Sequence, residues 1–251
     1  MTLHTVYAFP STDSLSEGLN DYVERLSREA INSHGKFTVA VSGGSLPKLL
    51  SKNLASNNAV DFSKWHLFFA DERCVALDHA DSNYLEVKNQ LLSKLGGKLP
   101  DANVHTINPS LVSDPEKSAQ DYEQQLKNVF GSDSTPAFDL LLLGMGPDGH
   151  TCSLFPGHPL LEEKKKWVAP IFDSPKPPKE RITLTFPVVN NAKNVAFVTA
   201  GEGKQDMVKQ IQEQPELNLP CQRVQPKSGN ACWFIDEAAG KKLSKVQKYK
   251  L

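Results

Sequence analysis

A short apolar run followed by a glycine-rich turn places a histidine where it could do chemistry. Leu140–Leu143 is bounded by Gly144, which predicts a strand buried on both faces, as in a parallel sheet. His150 follows shortly after and can gain or lose a proton near neutral pH, because an unperturbed histidine has a pKa of ~6.5. This favours a general acid or base. A structural turn, whose histidine caps a helix or bonds to backbone, explains the same residues.

Three glycines would shape the turn around this histidine. Glycine takes positive φ without steric cost, so Gly144, Gly146 and Gly149 let the backbone turn sharply and approach a ligand closely. His150 would then emerge at the carboxyl end of a strand, where open α/β sheets bind their ligands. We therefore treat this turn as a candidate ligand site.

A second turn could bind phosphate. It follows the predicted strand 37–41, precedes a predicted helix with Pro47 in its first turn, and consists of Ser42, Gly43, Gly44 and Ser45. A helix amino terminus offers free backbone N–H groups and the positive end of the helix dipole, and the hydroxyls add donors. The turn lacks the Gly-Lys-Ser/Thr ending of a Walker motif. A capping box or a tight turn would also explain it.

Charged residues follow or precede other predicted strands. Asp71, Glu72 and Arg73 come directly after a hydrophobic strand, where they could belong to a site or form a structural ion pair. Arg181 and Lys204 could each neutralise a substrate anion, arginine bidentately and lysine as a point charge. Each of these two, considered separately, could equally be a surface cation.

Strands and helices alternate along the chain. The predicted strands cover residues 37–41, 65–70, 103–107, 139–143, 181–186, 195–199 and 232–235, and the predicted helices cover 15–30, a segment around Pro47, 84–95 and 115–130. The alternation predicts an α/β fold with a mostly parallel sheet covered by helices on both faces. Because the turns at 42–45, 71–73 and 144–150 each follow a strand, we expect them to line one cleft. Three prolines in 173–180 predict a surface loop.

Composition excludes several classes of protein. The 251 residues fit one domain over 1–251, with 28 basic and 29 acidic residues giving a net charge of −1, so no nucleic-acid partner is expected. The lysine-rich tail 241–251 predicts a solvated, fraying helix without a function. The four cysteines have no metal-ligand spacing and are expected to be reduced. With no apolar span and no secretory pattern, we expect a soluble cytoplasmic protein that does not enter a membrane.

The polar turns belong to a series of short motifs along most of the chain. They are Val41–Ser45, Phe69–Arg73, Asp81–Tyr84, Gly144–Pro156, Asp173–Pro178, Arg181–Thr185 and Gly201–Lys204. In this order, over about residues 37–240, they resemble the 6-phosphogluconolactonase family. The resemblance implies a three-layer α/β/α fold similar to that of glucosamine-6-phosphate deaminase and ribose-5-phosphate isomerase. It also implies hydrolysis of 6-phospho-D-glucono-1,5-lactone in the oxidative pentose phosphate pathway.

Glucosamine-6-phosphate deaminases share the Asp-Gly-His core and are the alternative. In their pattern the core is followed by Phe-Asn-Glu-Pro, whose glutamate belongs to the proton-transfer machinery. Here the corresponding stretch is Ser153–Pro156, which has no carboxylate. Because deamination needs proton shuttling at carbon and lactone opening needs one activated water, this stretch favours the lactonase.

The resemblance leads to a hypothesis for the reaction. His150 would act as general base on the attacking water and then as general acid toward the leaving ring oxygen. Asp148 would orient His150 or influence its pKa. Arg73, or the backbone amides around Gly44 and Gly146, would bind the oxyanion.

By the same resemblance, Arg181 and Lys204 with Ser45 would bind the 6-phosphate, and Asp71 the sugar hydroxyls. The whole predicted substrate-binding set is Ser42, Gly43, Gly44, Ser45, Asp71, Arg73, Gly144, Gly146, Arg181 and Lys204. We expect no cofactor and no metal, a monomer or weak dimer, and a small sugar-phosphate lactone as the partner. A non-catalytic sugar-phosphate-binding protein would keep the serine-glycine turn and the cations without needing His150.

Overall fold

The computed structural model describes residues 4–246 and contains two sheets. The strands are β1 (Thr5–Phe9), β2 (Phe37–Val41), β3 (Trp65–Phe69), β4 (Asp71–Arg73), β5 (Leu140–Leu143), β6 (Val168–Ile171), β7 (Arg181–Leu184), β8 (Asn194–Thr199) and β9 (Asn230–Asp236). The six-stranded sheet has the order β1-β9-β8-β5-β2-β3, and all its neighbouring strands are parallel. The smaller sheet has the order β4-β7-β6 and is antiparallel.

Helices lie between the strands in the chain. They are α1 (Thr12–His34), α2 (Leu46–Leu54), α3 (Asn83–Val87), α4 (Ser93–Leu95), α5 (Pro115–Phe130), α6 (Phe186–Val189), α7 (Gln205–Glu213) and α8 (Glu237–Gly240). A π-helical turn, Lys88–Leu92, joins α3 to α4. Helix α1 begins after Ser11, whose hydroxyl accepts the backbone N–H of Ser14, and it ends at Gly35 in the left-handed conformation. Within the described residues, no helix combines the length and apolarity needed to cross a membrane.

Alternate residues of the central strands enter two separate hydrophobic cores. Val39 and Leu142 lie in the core formed with α1, α2 and α3, whereas Ala40 and Leu141 lie in the core formed with α5, α7 and the smaller sheet. Strands β2 and β5 are therefore buried at every position, as expected for parallel strands covered on both faces. This confirms the predicted three-layer α/β arrangement with a mostly parallel central sheet.

Three details of the predicted element pattern need correction. Residues 103–107 do not form a strand, because only one bridge, between Val104 and Leu67, attaches this segment to the edge strand β3. The predicted strand 181–186 ends at Leu184 and lies in the smaller sheet. The predicted tail helix is absent from residues 241–246, and residues 247–251 lie outside the described part of the chain.

Three strands escaped prediction, and one prediction about loops is confirmed. Residues 71–73 were expected to form a turn, but they form the three-residue strand β4 of the smaller sheet. Strand β1 is a short edge strand, and β6 is a four-residue strand that contains Pro170, so neither shows a strong pattern. The proline-rich segment 173–180 contains no helix or strand, as predicted. It joins β6 to β7 and lies next to the pocket described below.

A buried aspartate fastens the amino-terminal end of β5. Asp139 accepts hydrogen bonds from the backbone N–H and the hydroxyl of Thr38 at 2.9 and 2.8 Å. It also pairs with His34 Nε2 at 2.9 Å and with Lys193 Nζ at 2.7 Å. Burial favours the neutral acid, but the bonds from Lys193, Thr38 and His34 outweigh it and lower the pKa of Asp139. Asp139 is thus an ionised anchor between β2 and β5.

We expect Asp139→Ala to reduce the free energy of unfolding by about 3–5 kcal/mol at neutral pH, because it leaves buried donors without their acceptor. Since the pKa of Asp139 is lowered on folding, this stabilisation is present above the ordinary value of 3.8 and is lost as the pH falls through the lower, folded value. Urea unfolding followed by tryptophan fluorescence measures both effects.

Glu29→Ala is the control, because Glu29 and Arg25 form an exposed i,i+4 pair on α1. Its expected cost is about 0.5 kcal/mol or less. An Asp139→Ala cost as small as that of Glu29→Ala would contradict the anchoring role.

Candidate active site

The three polar segments meet in one pocket, as predicted, although 71–73 forms strand β4 rather than a turn. Strands β5, β2 and β3 are neighbours in the sheet, so the segments that follow them lie at the same edge. The pocket encloses about 150 Å³ and is lined by Ser42, Gly43, Gly44, Asp71, Arg73, Asn83, Gly144, Met145, Gly146, His150, Thr151, Cys152 and Arg181. Nine of these residues belong to the set predicted from the sequence.

His150 is held by Asp148 and presents one nitrogen to the pocket. Its Nδ1 lies 2.5 Å from Asp148 Oδ1, and its backbone N–H donates to the same oxygen at 3.3 Å. Because a carboxylate only accepts, Nδ1 carries the proton, and Nε2 keeps its lone pair. Among the described residues, Nε2 has no hydrogen-bond partner. The arrangement is that of an oriented base, rather than that of a histidine capping a helix.

The surroundings keep His150 neutral and Asp148 ionised near neutral pH. Burial is the largest effect on His150 and lowers its pKa, with help from the nearby Lys176, although the bond to Asp148 raises it. Burial favours the neutral form of Asp148, but the hydrogen bond from His150 outweighs it, and Lys176 Nζ at 3.7 Å adds to the lowering of the Asp148 pKa. A neutral imidazole backed by a carboxylate can accept a proton.

An aromatic ring packs where the deaminase pattern has its glutamate. Phe155 is buried, and its ring centroid lies 4.6 Å from that of His150. The guanidinium of Arg181 lies 5.6 Å from the same ring. The side chain beside the base is therefore apolar, so this position provides no second acid.

Gly146 leaves the room that the His150 ring occupies. A Cβ at residue 146 would lie 2.0 Å from both Nδ1 and Cε1 of His150. We expect Gly146→Ala to displace the ring, break its bond to Asp148 and reduce turnover at least about tenfold, because small misplacements of a catalytic group are costly. Steady-state kinetics and the imidazole NMR shifts report the two effects.

Gly203→Ala serves as the matched control. A Cβ at Gly203 would meet no atom within 4 Å, so this variant is expected to keep wild-type turnover. Equal turnover in Gly146→Ala and Gly203→Ala would show that the ring does not need this space.

Two buried polar atoms at the pocket wall lack partners. Ser42 Oγ and Arg73 Nε are inaccessible to solvent and form no hydrogen bond with any described residue. Arg73 NH1 donates to the carbonyl of Asp81 at 2.7 Å, which holds the guanidinium in place. Unsatisfied buried polar groups are rare in folded proteins. Because both residues line the pocket, a small rotation of either side chain would let its donor reach a ligand.

Of the three charged residues at 71–73, two line the pocket and one has a structural role. Asp71 and Arg73 line the pocket. Glu72 is 1% exposed and accepts the backbone N–H groups of Arg73, Asn83 and Tyr84 at 2.7, 2.8 and 2.8 Å. Burial raises the pKa of Glu72 to about 7. The structural role expected for this triplet thus falls to Glu72, through hydrogen bonds to the start of α3 rather than an ion pair.

Arg181 is buried and is not a surface cation. Its Nε donates to the carbonyl of Pro178 at 3.0 Å, and its NH2 donates to those of Lys176 and Pro177 at 3.0 and 3.1 Å. Its NH1 donates to Ser153 Oγ at 3.3 Å. Four of the five guanidinium donors are therefore used to hold the proline-rich loop and Ser153, and one remains for a ligand.

Three predicted residues lie beside the pocket rather than in its wall. Asp148 stands behind His150, and Lys204 Nζ donates to the carbonyl of Met145 at 3.1 Å. Ser45 is exposed at the start of α2 and makes no capping hydrogen bond. Burial, with the charge of Lys176, lowers the pKa of Lys204.

Several pocket residues escaped sequence reasoning. Asn83 donates to the carbonyl of Asp71 at 2.9 Å and packs so closely on Gly43 that a Cβ there would lie 2.0 Å from its Oδ1. Its place in the motif Asp81–Tyr84 was a usable signal. Met145 and Cys152 line the pocket but carry no chemical signal in the sequence. Lys176, which contacts Asp148 beside the pocket, lies in the proline-rich segment and was not predicted. Within residues 4–246, no group of three or more His, Cys, Asp or Glu side chains is arranged to hold a metal ion.

Comparison with known proteins finds relatives over most of the chain. Residues 10–233 match the family model described as glucosamine-6-phosphate isomerases/6-phosphogluconolactonase. The 6-phosphogluconolactonase of Rattus norvegicus is 48% identical over 95% of this chain and 93% of its own length. The structure of 6-phosphogluconolactonase from Trypanosoma cruzi superimposes with a TM-score of 0.85 at 26% identity, over 98% of this chain and 99% of that one.

A deaminase structure is similar in fold at much lower sequence identity. A monomeric glucosamine-6-phosphate deaminase gives a TM-score of 0.76 at 16% identity, over 94% of this chain and 99% of that one. The resemblance seen in the sequence motifs is confirmed by the family model, by the relatives and by the fold. The chain belongs to the glucosamine-6-phosphate isomerase/6-phosphogluconolactonase family.

Proposed function

We propose that this chain hydrolyses 6-phospho-D-glucono-1,5-lactone to 6-phospho-D-gluconate in the oxidative pentose phosphate pathway. One observation carries the proposal: His150 has Nδ1 bonded to Asp148 and Nε2 free, in a pocket that also holds the unpartnered donors of Ser42 and Arg73. The relatives named 6-phosphogluconolactonase support the choice of substrate.

The chemistry needs one base that later becomes an acid. His150 Nε2 takes a proton from water, and the oxygen attacks the lactone carbonyl carbon to form a tetrahedral intermediate. The bond from this carbon to the ring oxygen then breaks, and Nε2 returns the proton to that oxygen. Asp148 holds the imidazole in the required tautomer and stabilises its transient positive charge. The cycle returns His150 to its neutral form, and the carboxylic acid that it produces ionises at neutral pH and releases one proton to solvent.

The unpartnered donors are suited to negative charge on the substrate. Arg73 and Ser42 line the same pocket as His150, so a rotation of either side chain would let it donate to the developing oxyanion or to another anionic oxygen. The single free donor of Arg181 and the half-buried Lys204 are assigned to the 6-phosphate, together with Ser45. Asp71 is assigned to the sugar hydroxyls. These assignments extend the predictions from the sequence.

The surroundings of His150 favour the lactonase over a deaminase. The deaminase pattern has a glutamate where this chain has Phe155, and the phenyl ring packs directly on the imidazole. A non-catalytic sugar-phosphate-binding protein would have no need for the Asp148–His150 pair. The proposed cytoplasmic location and monomeric or weakly dimeric state stay predictions.

Proton release by the purified chain tests the proposal. We expect release from 6-phospho-D-glucono-1,5-lactone well above the spontaneous rate, and no ammonia from glucosamine 6-phosphate. Ammonia formation would support the deaminase alternative. Binding of 6-phosphogluconate without turnover of the lactone would support the non-catalytic alternative.

A further inference from the structure

Two buried charges of opposite sign face the pocket without pairing with each other. Asp71 is 6% exposed and Arg181 is 3% exposed, and both line the pocket. Neither forms an ion pair with any residue in the described range 4–246. Buried charges are normally paired, because transfer out of water is costly for a lone charge. Their separation therefore needs a physical cause.

The backbone does not keep these two side chains apart. Strands β4 and β7 are antiparallel, with Asp71 opposite Thr183 and Arg73 opposite Arg181. Asp71 and Arg181 are therefore diagonal neighbours on one face of the small sheet. Side chains in this relation are within reach of each other when one of them is long, as arginine is. A direct contact would be possible if nothing stood between them.

Ser153 occupies that place. Its Oγ donates to Asp71 Oδ2 at 2.6 Å and accepts from Arg181 NH1 at 3.3 Å. The residue is fully buried, and its backbone N–H donates to Thr183 Oγ1 at 3.1 Å, which fixes it against β7. A hydroxyl can donate once and accept as well, so it satisfies both charged groups while holding them on opposite sides.

The other carboxylate oxygen of Asp71 remains open. Asp71 Oδ1 has only a long contact, 3.5 Å, with Asn83 Nδ2. Arg181 also has one N–H donor that no described residue uses, because its other four donors bind Ser153 and the proline-rich loop 173–180. A direct ion pair would occupy both of these groups.

We propose that Ser153 is a positioning residue that keeps Asp71 and Arg181 from forming an ion pair, so that both stay available to the phosphorylated sugar. The identity of this ligand rests on the proposed function. The separation of the two charges by the hydroxyl does not depend on it. Ser153 thus sets substrate affinity without touching the reacting atoms.

Kinetics of Ser153→Ala provide the first test. Without the hydroxyl, Arg181 and Asp71 pair, and we expect KM for the lactone to rise about tenfold, the usual size of a lost hydrogen bond to a charged group. We expect kcat to stay within about twofold, because the His150–Asp148 pair is untouched. Ser118→Ala is the control, since Ser118 is equally buried and donates to Leu111 O at 2.7 Å away from the pocket.

A double variant separates this role from loss of packing. In an Asp71→Asn background no ion pair can form, so adding Ser153→Ala should change KM by less than about twofold. The proposal is overturned if KM is unchanged in Ser153→Ala, or if the substitution raises KM equally in both backgrounds.

A crystal structure of Ser153→Ala tests the same point without any activity. We expect the Arg181 guanidinium within about 4 Å of the Asp71 carboxylate, the range of an ion pair. Side chains that remain apart would overturn the proposal. If the wild-type chain does not hydrolyse the lactone, the proposed function fails, but this structural result still decides the role of Ser153. Should Ser153→Ala not fold, Ser153→Cys keeps the volume with a weaker hydrogen-bonding group and gives the same readouts.

Discussion

Replacing His150 by alanine is expected to lower kcat for the lactone by about 10²–10⁴-fold, the usual contribution of a general base. The physical reason is that Nε2 of His150 is the free, neutral nitrogen of a pocket whose other polar groups are donors or carboxylates. The turnover that remains would come from attack by water without a base and from the spontaneous reaction. Proton release, corrected for the spontaneous rate, measures the loss, and circular dichroism shows whether the fold is kept.

The chain offers a matched control for this experiment. His34 is also hydrogen-bonded to an aspartate, Asp139, but it is an exposed residue at the opposite end of the central sheet. His34→Ala is expected to cost stability and to keep kcat. A His150→Ala enzyme that turns over as fast as His34→Ala would remove His150 from the mechanism.

Replacing Asp148 by asparagine is expected to lower kcat by about 10²–10³-fold. Asparagine preserves the shape but can present an N–H to Nδ1, which would place the imidazole proton on Nε2, where it blocks base catalysis. The change also removes the negative charge that stabilises the imidazolium. Asp173→Asn is the control, since Asp173 binds His158 at 2.9 Å outside the pocket and is expected to leave kcat unchanged.

The pH dependence of kcat/KM also tests the coupling between His150 and Asp148, because the direction of its shift can be predicted. His150 acts as a base only when neutral, so kcat/KM should rise with pH through the pKa of His150, which burial places below 6.5, and then level off. Asp148 raises that pKa, so Asp148→Asn should move the rise to lower pH while reducing the plateau. A rise that stays in place, or moves to higher pH, would contradict the coupling between the two residues.

Local sequence patterns were enough to find the turn that carries the proposed base. The run Leu140–Leu143 is apolar at each position because both of its faces are covered, and this is visible without coordinates. The same holds for β2, so the turns after both strands could be placed at one sheet edge. The sequence predicts that the backbone approaches a ligand at Gly146, whereas in the structure the His150 ring packs on Gly146 and the Gly146 N–H donates to the carbonyl of His150 at 2.9 Å.

The sequence alone does not show which residues each side chain bonds to. The sequence did not decide whether Arg181 binds a phosphate or lies on the surface. Its burial and its bonds to the proline-rich loop depend on the pairing of β7 with β4. Residues 103–107 have a strand-like composition, yet only one bridge forms, because pairing with β3 depends on the path of the chain at the sheet edge.

The sequence by itself determined the family, the candidate base and the segments that meet in the pocket, since these depend on residue type and on spacing along the chain. The tertiary structure alone decided which nitrogen of His150 is free, which donors of Ser42 and Arg73 lack partners, and how Ser153 separates Asp71 from Arg181. The reason is that hydrogen bonds and burial depend on distances between residues that are 82 positions apart in the case of Ser153 and Asp71. Spacing along the chain carries no information about such distances until the sheet brings its strands together.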